Sequence, residues 1–382
     1  MDDSTQRVSP LLLSEKLQNL ILNNFIIQCP PLVEEGEKKV PIFDDKEQKA
    51  IMPTLDIKSI SNKIKENAQD LGPHSDSSVL WRVNYARFDE EMRKIILINA
   101  AARRVDSSAG ELLHLLLELW SQNSNIESPI SNSISVTQIK DAIKKKSLRE
   151  PILQYCDQYL KILSEDSSRL IVKAGDSGGG QYAANYADVF KTLACSTLDS
   201  IVLERFGSKA ARLFRLTRLK QHLEQDQMQQ LSMVPAKEAK MYAYRLLEHN
   251  FLQLRELKKS VSNSVPVKTF FLFHVDLHQV IRTALDMSYK GLYNVLVRRE
   301  YELKENKRLL DKQARVESIL VSLKEQGAAD EQLSEVEEMI TPPERALLTK
   351  IQYMMDQLSL GELQVDETIF ILETFLQYSV MK

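Results

Sequence analysis

The sequence predicts a mainly α fold, with small modules in tandem followed by a C-terminal helical hairpin or coiled coil. Three observations carry this. Glycine and proline number only 11 and 12 among 382 residues, few for a loop-rich or all-β chain, while hydrophobic residues make up 43% and charged residues 27%. Apolar residues recur at intervals of three and four over long stretches. Between Asp276 and Gln326 there is no proline and one glycine, Gly291, and Leu296, Leu303 and Leu310 fall seven apart. A chain of this length has room for about two to four domains at roughly 100 to 200 residues each.

Residues 1–35 read as part of a module: a helix from Pro10 to Asn23, with Leu12, Leu17, Leu20 and Ile21 on one side, then a short strand from Phe25 to Gln28. One helix and one strand bury too little surface to fold alone, so a partner or a preceding segment is expected to complete them. From Val33 the chain turns polar, with Glu34, Glu35, Glu37, Lys38 and Lys39 and no sustained periodicity. Residues 36–78 are therefore expected to be a mobile linker.

Residues 79–185 form the first complete module. Trp81, Tyr85, Phe88, Met92, Ile95 and Ile96 predict an amphipathic helix ending near Arg104, and Ser108-Ala-Gly-Glu111 reads as a capping box opening a second helix rich in leucine. Ile134 to Val136 is a short strand, and Thr137 opens a short helix through Lys146. Ser147-Leu-Arg-Glu150, with Pro151 in the first turn, starts a helix burying Ile152, Cys156, Leu160 and Leu163. Arg169 to Ala174 and Gln181 to Ala184 are strands joined by Gly175-Asp-Ser-Gly-Gly-Gly180. That order describes a winged helix with an extra leading helix. Residues 186–275 repeat it: helices Tyr186 to Phe206, Lys209 to His222 opened by Ser208, Glu224 to Leu231 and Ala236 to Asn250, then strands Phe251 to Leu257 and Val267 to Val275. Tandem extended winged helices are the expectation.

Residues 276–382 supply the hairpin. Arg299, Asn306 and Gln313 share the spacing of Leu296, Leu303 and Leu310, which places apolar and polar layers on one heptad seam; beyond them the seam is expected to slip by one position to Val316, Leu320 and Leu323. Thr341-Pro-Pro-Glu344 caps a return helix running past Met355, and Glu367 to Val380 reads as a separate short apolar helix.

Charge and chemistry narrow the function. Fifty Lys plus Arg against 53 Asp plus Glu leave a net charge of -3, so nucleic acid can be met only through local patches. Cys29, Cys156 and Cys195 make neither a disulfide framework nor a CxxC zinc site, which points to a reducing compartment. No apolar run approaches the roughly 18 residues needed to span a bilayer, and no membrane partner is expected. The Gly175–Gly180 segment lacks the GK[ST] of a phosphate cradle and lies between strands, so it reads as a wing turn. His274 and His278 lack a third ligand, so neither metal nor cofactor is expected, and no acid/base or nucleophile constellation stands out. A non-catalytic role is expected.

The outward face of the first module's recognition helix, Glu150, Gln154, Asp157, Gln158 and Lys161, is close to neutral and poorly suited to reading a major groove. Positive charge lies instead at Lys140, Lys144, Lys145, Lys146 and Arg149, at Lys173 on the wing, and at Lys209, Arg212, Arg215, Arg218 and Lys220. Two readings stay open for these residues: a solvated face paired with neighbouring acids, or a track for phosphates without sequence information.

Six motifs in order carry a resemblance: Gly175-Asp-Ser-Gly-Gly-Gly-Gln-Tyr182, Glu204-Arg-Phe-Gly207 with Ala211-Arg-Leu-Phe-Arg-Leu216, Val234-Pro-Ala-Lys-Glu-Ala-Lys240, Lys304-Glu-Asn-Lys-Arg-Leu-Leu310, Glu337-Glu-Met-Ile-Thr-Pro-Pro-Glu-Arg345 and Val365-Asp-Glu-Thr-Ile-Phe370. From about Trp81 to the end the chain resembles the large winged-helix subunit specific to RNA polymerase III. The resemblance implies four extended winged helices and a coiled coil, in a nuclear heterotrimer with two smaller polymerase III-specific subunits. That trimer sits on the clamp of the polymerase and helps open promoter DNA, a role similar to that of the large subunit of TFIIE. From the near-neutral net charge, the neutral recognition-helix face and the confined basic patches, contact with single-stranded or duplex promoter DNA is expected to be weak and non-specific. The first winged helix and most of the second have no counterpart here, so a fragment or short form is expected. Leu296, Arg299, Leu303, Asn306, Leu310 and Gln313 are the expected docking residues. The rival from another class is a docking adaptor unrelated to polymerase.

Overall fold

The computed structural model describes residues 10–29, 32–35, 38–41, 80–123, 128–146, 150–259, 268–325 and 330–380. They belong to two units, Met1–Glu165 with Leu170–Ala184 and Asp166–Arg169 with Asn185–Lys382.

In the first unit, α1 (Pro10–Leu22) leads into β1 (Ile26–Gln28), whose antiparallel partner is β4 (Trp81–Val83), with Ile26 opposite Val83 and Gln28 opposite Trp81. Two backbone bonds extend the ladder, Cys29 N to Leu80 O at 2.7 Å and Asn84 N to Phe25 O at 2.9 Å. Trp81 therefore lies in a strand and does not open a helix. A three-residue strand is too short to show a period of two, and its partner is remote in sequence. Between β1 and β4 lies a second departure from expectation, a hairpin of β2 (Leu32–Glu35) and β3 (Lys38–Pro41) whose second strand falls in the stretch expected to be linker. Its register sets Leu32 opposite Pro41 and Glu35 opposite Lys38, and four-residue strands this polar leave no apolar alternation to find in the sequence. Residues 36–37 and 42–78 of the expected linker lie outside the described residues.

Next come α2 (Tyr85–Arg104) and α3 (Ser107–Asn123). Asp106, and not Ser108, caps α3: its Oδ1 accepts from Ala109 N at 2.7 Å, which corrects the expected Ser108–Glu111 box. Its Oδ2 accepts from the Tyr159 hydroxyl at 2.7 Å, so one carboxylate starts a helix and ties down another. β5 (Ile134–Ser135) runs directly into α4 (Val136–Lys145), whose capping box joins Ser135 and Gln138. The helix expected next is two pieces, α5 (Glu150–Gln154) and α6 (Cys156–Glu165); residues 147–149 of its expected capping box lie outside the described residues. β6 (Ile171–Gly175) and β7 (Gln181–Ala184) complete a sheet in the order β5-β7-β6, the first and third strands of the module pairing as a winged helix requires. Between them Gly178, Gly179 and Gly180 take φ of +64°, +84° and +114° in succession, and a Cβ on Gly180 would meet the Tyr182 ring at 3.3 Å. Leu112, Leu116, Trp120, Ile139, Ile143, Ile152, Leu160 and Ile171 are buried at the centre.

The second unit repeats the order. Asn185 caps α7 (Tyr186–Phe206), Gly207 at φ +87° breaks the chain direction, and α8 (Ser208–Lys220) follows. Then come β8 (His222–Leu223), α9 (Gln225–Ser232), α10 (Ala236–Glu248), β9 (Gln253–Lys259) and β10 (Lys268–His274), in a sheet ordered β8-β10-β9. The two-residue β8 was not anticipated, since nothing in His222-Leu223 distinguishes it from a helix end. Buried Phe206, Phe214 and Phe251 pack edge to face at 5.4 and 6.2 Å, locking α7 and α8 to the start of the wing.

Asp276 Oδ1 accepts from His278 N and Gln279 N at 3.1 and 3.4 Å and opens α11 (Leu277–Glu305), followed by α12 (Lys307–Glu325), α13 (Asp330–Glu338) and α14 (Pro342–Val380). The return helix and the terminal helix are one element, correcting the expectation of two. Half-buried or buried Leu358, Glu362, Val365, Ile369 and Leu372 continue one stripe past Gly361, so packing carries the helix across a residue that disfavours it. Near its end Tyr378 stacks on Tyr186 at 6.4 Å and meets Phe190 at 6.0 Å, both on α7.

Candidate docking and nucleic-acid surfaces

Along α11 and α12 the inward residues are Leu292, Val295, Arg299, Glu302, Asn306, Leu309, Gln313, Val316, Leu320 and Leu323, alternating at three and four without interruption. On α14 the matching stripe is Glu344, Leu348, Ile351, Met355, Leu358, Glu362 and Val365. Cross-helix bonds fix the antiparallel pairing: Arg299 Nη1 donates to Glu362, Lys312 Nζ reaches both Glu344 oxygens at 3.0 and 2.8 Å, and the Tyr289 hydroxyl donates to Glu373. Glu302 is only 8% exposed and is ion-paired with Arg298 one turn back. Asn306 separates α11 from α12, yet its Nδ2 donates to Glu302 O at 2.9 Å and the seam continues in phase.

This geometry divides the six expected docking residues. Arg299, Asn306 and Gln313 belong to the seam inside the hairpin. Leu296 and Leu303, 36% and 43% exposed, lie on an outer flank with half-buried Leu310 and exposed Tyr293. Two heptad patterns, one position out of step at the leucines, were read as one. The expected slip toward Val316 therefore does not exist: Val316, Leu320 and Leu323 continue the seam of Arg299, Asn306 and Gln313. Counting back from Val316 in steps of three and four would have reached Leu309, Glu302, Val295 and Leu292, the seam residues the sequence reading missed.

The basic residues divide as well. In the first unit Lys144 and Lys145 are exposed with no ion pair among the described residues, Lys146 is held by Glu118, Lys140 meets Asp157 at 2.8 Å, and Lys173 pairs with Asp176, which raises its pKa. Arg149 lies outside the described residues. In the second unit Lys209 pairs with Glu238, and Arg212 Nη1 donates to Ser232 O at 3.2 Å. Asp199 takes Arg215 Nε at 3.1 Å and both guanidinium nitrogens of Arg218, so these arginines serve packing between α7 and α8. Exposed Lys220 has no ion pair among the described residues. On the recognition helix Gln154, Asp157, Gln158 and Lys161 are exposed, with Asp157 committed to Lys140 and Lys161 3.9 Å from Glu165. That face is close to neutral.

Residues 15–193 match the family model of RNA polymerase III subunit RPC82, residues 198–275 that of the POLR3C C-terminal winged-helix domain, and residues 308–371 that of the RPC3 helical hairpin domain of DNA-directed RNA polymerase III. DNA-directed RNA polymerase III subunit RPC3 of Rattus norvegicus is 40% identical over 311 residues, 81% of this chain and 57% of that protein. The chain belongs to the RPC3 family of RNA polymerase III subunits. RPC3 of Danio rerio is 41% identical over 317 residues, 83% of this chain and 58% of that protein, and rpc3 of Dictyostelium discoideum is 27% identical over 250 residues. The chain thus spans less than two thirds of the length of these RPC3 relatives. The RPC3 hairpin model covers the return of α12 onto α14, and the C-terminal winged-helix model ends one residue beyond β10.

Proposed function

We propose that this chain is a non-catalytic subunit of nuclear DNA-directed RNA polymerase III, joined with two smaller polymerase III-specific subunits on the clamp of the largest subunit, where it supports promoter opening and initiation on genes for small structured RNAs. Kinship with the RPC3 family supports the assignment, and the exposed flank of α11 is the observation that gives it a mechanism. Tyr293, Leu296 and Leu303 are exposed large side chains on the outside of a hairpin already closed by its own seam, with Leu296 and Leu303 one heptad apart. Such a face is suited to receive a further protein surface. DNA contact, on this reading, is electrostatic and indifferent to sequence, made by Lys144, Lys145 and Lys220 and opposed by a net charge of -3. A docking adaptor outside the polymerase has no support in 40% identity to an RPC3 protein.

Affinity purification of the tagged chain from nuclear extract tests the assignment. Recovery of the polymerase III core with both smaller subunits is expected; recovery of the chain without any polymerase subunit contradicts it.

A further inference from the structure

The hairpin carries a notch to which the docking reading gives no role. Between α11 and α14 lies a solvent-open cavity of about 400 Å³, lined by Leu285 and Leu376 together with Asp286, Tyr289, Glu373 and Arg282. The Tyr289 hydroxyl donates to Glu373 Oε1. That bond above all, then burial and the charges of Glu373 and Asp286, push the tyrosine up to about 12. Both carboxylates therefore act on one ring. The second oxygen of Glu373 takes no hydrogen bond among the described residues, and neither Asp286 nor Arg282, one turn apart on α11, has an ion pair there.

Charge beyond the notch has the same sign. From Ile351 to Val380, α14 carries Asp356, Glu362, Asp366, Glu367 and Glu373 and neither lysine nor arginine. Arg299 answers Glu362, and the other four have no ion pair among the described residues. The notch also continues into the docking flank, since Tyr289 stands one heptad before exposed Leu296 and two before exposed Leu303.

We infer that the protein segment docked along the α11 flank seats one basic side chain in this notch, its cation against the Tyr289 ring and hydrogen-bonded to Asp286 and the second oxygen of Glu373. The inference rests on the docking reading and names the partner's chemistry, an apolar segment with a lysine or arginine at one end. Two carboxylates about one ring repel each other, and a cation between them removes that cost. The ring attracts the same cation, and Leu285 and Leu376 suit its aliphatic stem. Arg282, at the edge of the notch, is the like charge that opposes it. A polyanion is disfavoured by sign along the whole of this part of α14.

Biolayer interferometry of the purified chain on RNA polymerase III core enzyme free of this subunit provides the test. Asp286→Asn with Glu373→Gln should weaken binding about 10- to 100-fold and reduce its salt dependence. Arg282→Ala should tighten it about 2- to 5-fold. In the unaltered chain, carbodiimide labelling of carboxylates, read by mass spectrometry, should fall at Asp286 and Glu373 once the core enzyme is bound, a readout independent of any variant's folding. Leu296→Asp with Leu303→Asp separates the seat from the reading beneath it. Full binding by that variant overturns both, whereas its loss of binding beside wild-type affinity in Asp286→Asn with Glu373→Gln overturns the seat alone. Weaker binding by Arg282→Ala, the mark of an acidic occupant, or unchanged labelling of both carboxylates in the complex would also overturn the seat.

Discussion

Asp199 grips Arg218 with two parallel hydrogen bonds, Nη1 to Oδ1 at 2.7 Å and Nη2 to Oδ2 at 2.9 Å. Arg218 also donates to Cys195 O at 3.2 Å and lies 5.6 Å over the Phe214 ring, so a charge that reads in sequence as solvent-facing is a clasp between α7 and α8. Arg218→Ala should lower unfolding stability by about 2–3 kcal/mol, because it leaves a largely buried carboxylate short of its donors. Urea denaturation measures this, and affinity for DNA should change little. Unchanged stability with a large loss of DNA binding would return Arg218 to the phosphate-contact reading.

Arg299 and Glu362 form an ion pair within the hairpin seam. Removing one partner should cost more than replacing both. Arg299→Ala is expected to destabilise by about 1–2 kcal/mol, while Arg299→Leu with Glu362→Leu should stay within about 1 kcal/mol of wild type or exceed it. Thermal melts of the two variants check the order. If the double variant is the less stable, the pair contributes net stability.

Glu344 caps α14 and titrates with the hairpin. The Lys312 ammonium, with the Thr341 backbone N–H and hydroxyl, holds its carboxyl down from the ordinary 4.5 to about 2. A carboxyl whose pKa falls on folding lends stability that is complete above its unfolded value and is lost as the pH drops toward its folded value. Stability should therefore decline between about pH 4.5 and 2, and Glu344→Gln should flatten that part of the profile. Circular dichroism melts across the range test it; a profile unaltered by the substitution would show that Glu344 is not the group involved.

Cys156 is fully buried, and burial pushes its thiol up to about 11. At neutral pH it should resist alkylation in the folded chain and react only when the first unit opens. Mass spectrometry after timed iodoacetamide treatment, with and without urea, measures this. Rapid modification in native buffer would mean that α6 is loosely held.

The sequence showed helices where periodicity ran long, and both winged helices through their repeated order. It could not show β1 pairing with β4, because each strand has three residues and the signal of pairing lies in the partner. The hairpin was legible as a heptad repeat but not in its phase. Leucine at 296, 303 and 310 is a stronger apolar signal than Arg299, Glu302, Asn306 and Gln313, yet the polar residues are the ones inside. Ion pairing and helix capping make them tolerable there, and neither leaves a mark on hydrophobic spacing. Basic residues misled for a related reason: Asp199 lies 19 residues from Arg218 on another helix, and only the fold brings them together.

Quantitative co-purification of the largest polymerase III subunit with hairpin variants tests most directly whether the outer flank of α11 is the docking surface. Leu296→Asp with Leu303→Asp should abolish recovery while leaving the far-ultraviolet circular dichroism and melting behaviour of the chain near wild type. Arg299→Leu with Glu362→Leu, which alters only the inner seam, should leave recovery intact. Full recovery with the outer variant, or loss confined to the inner one, would contradict the account.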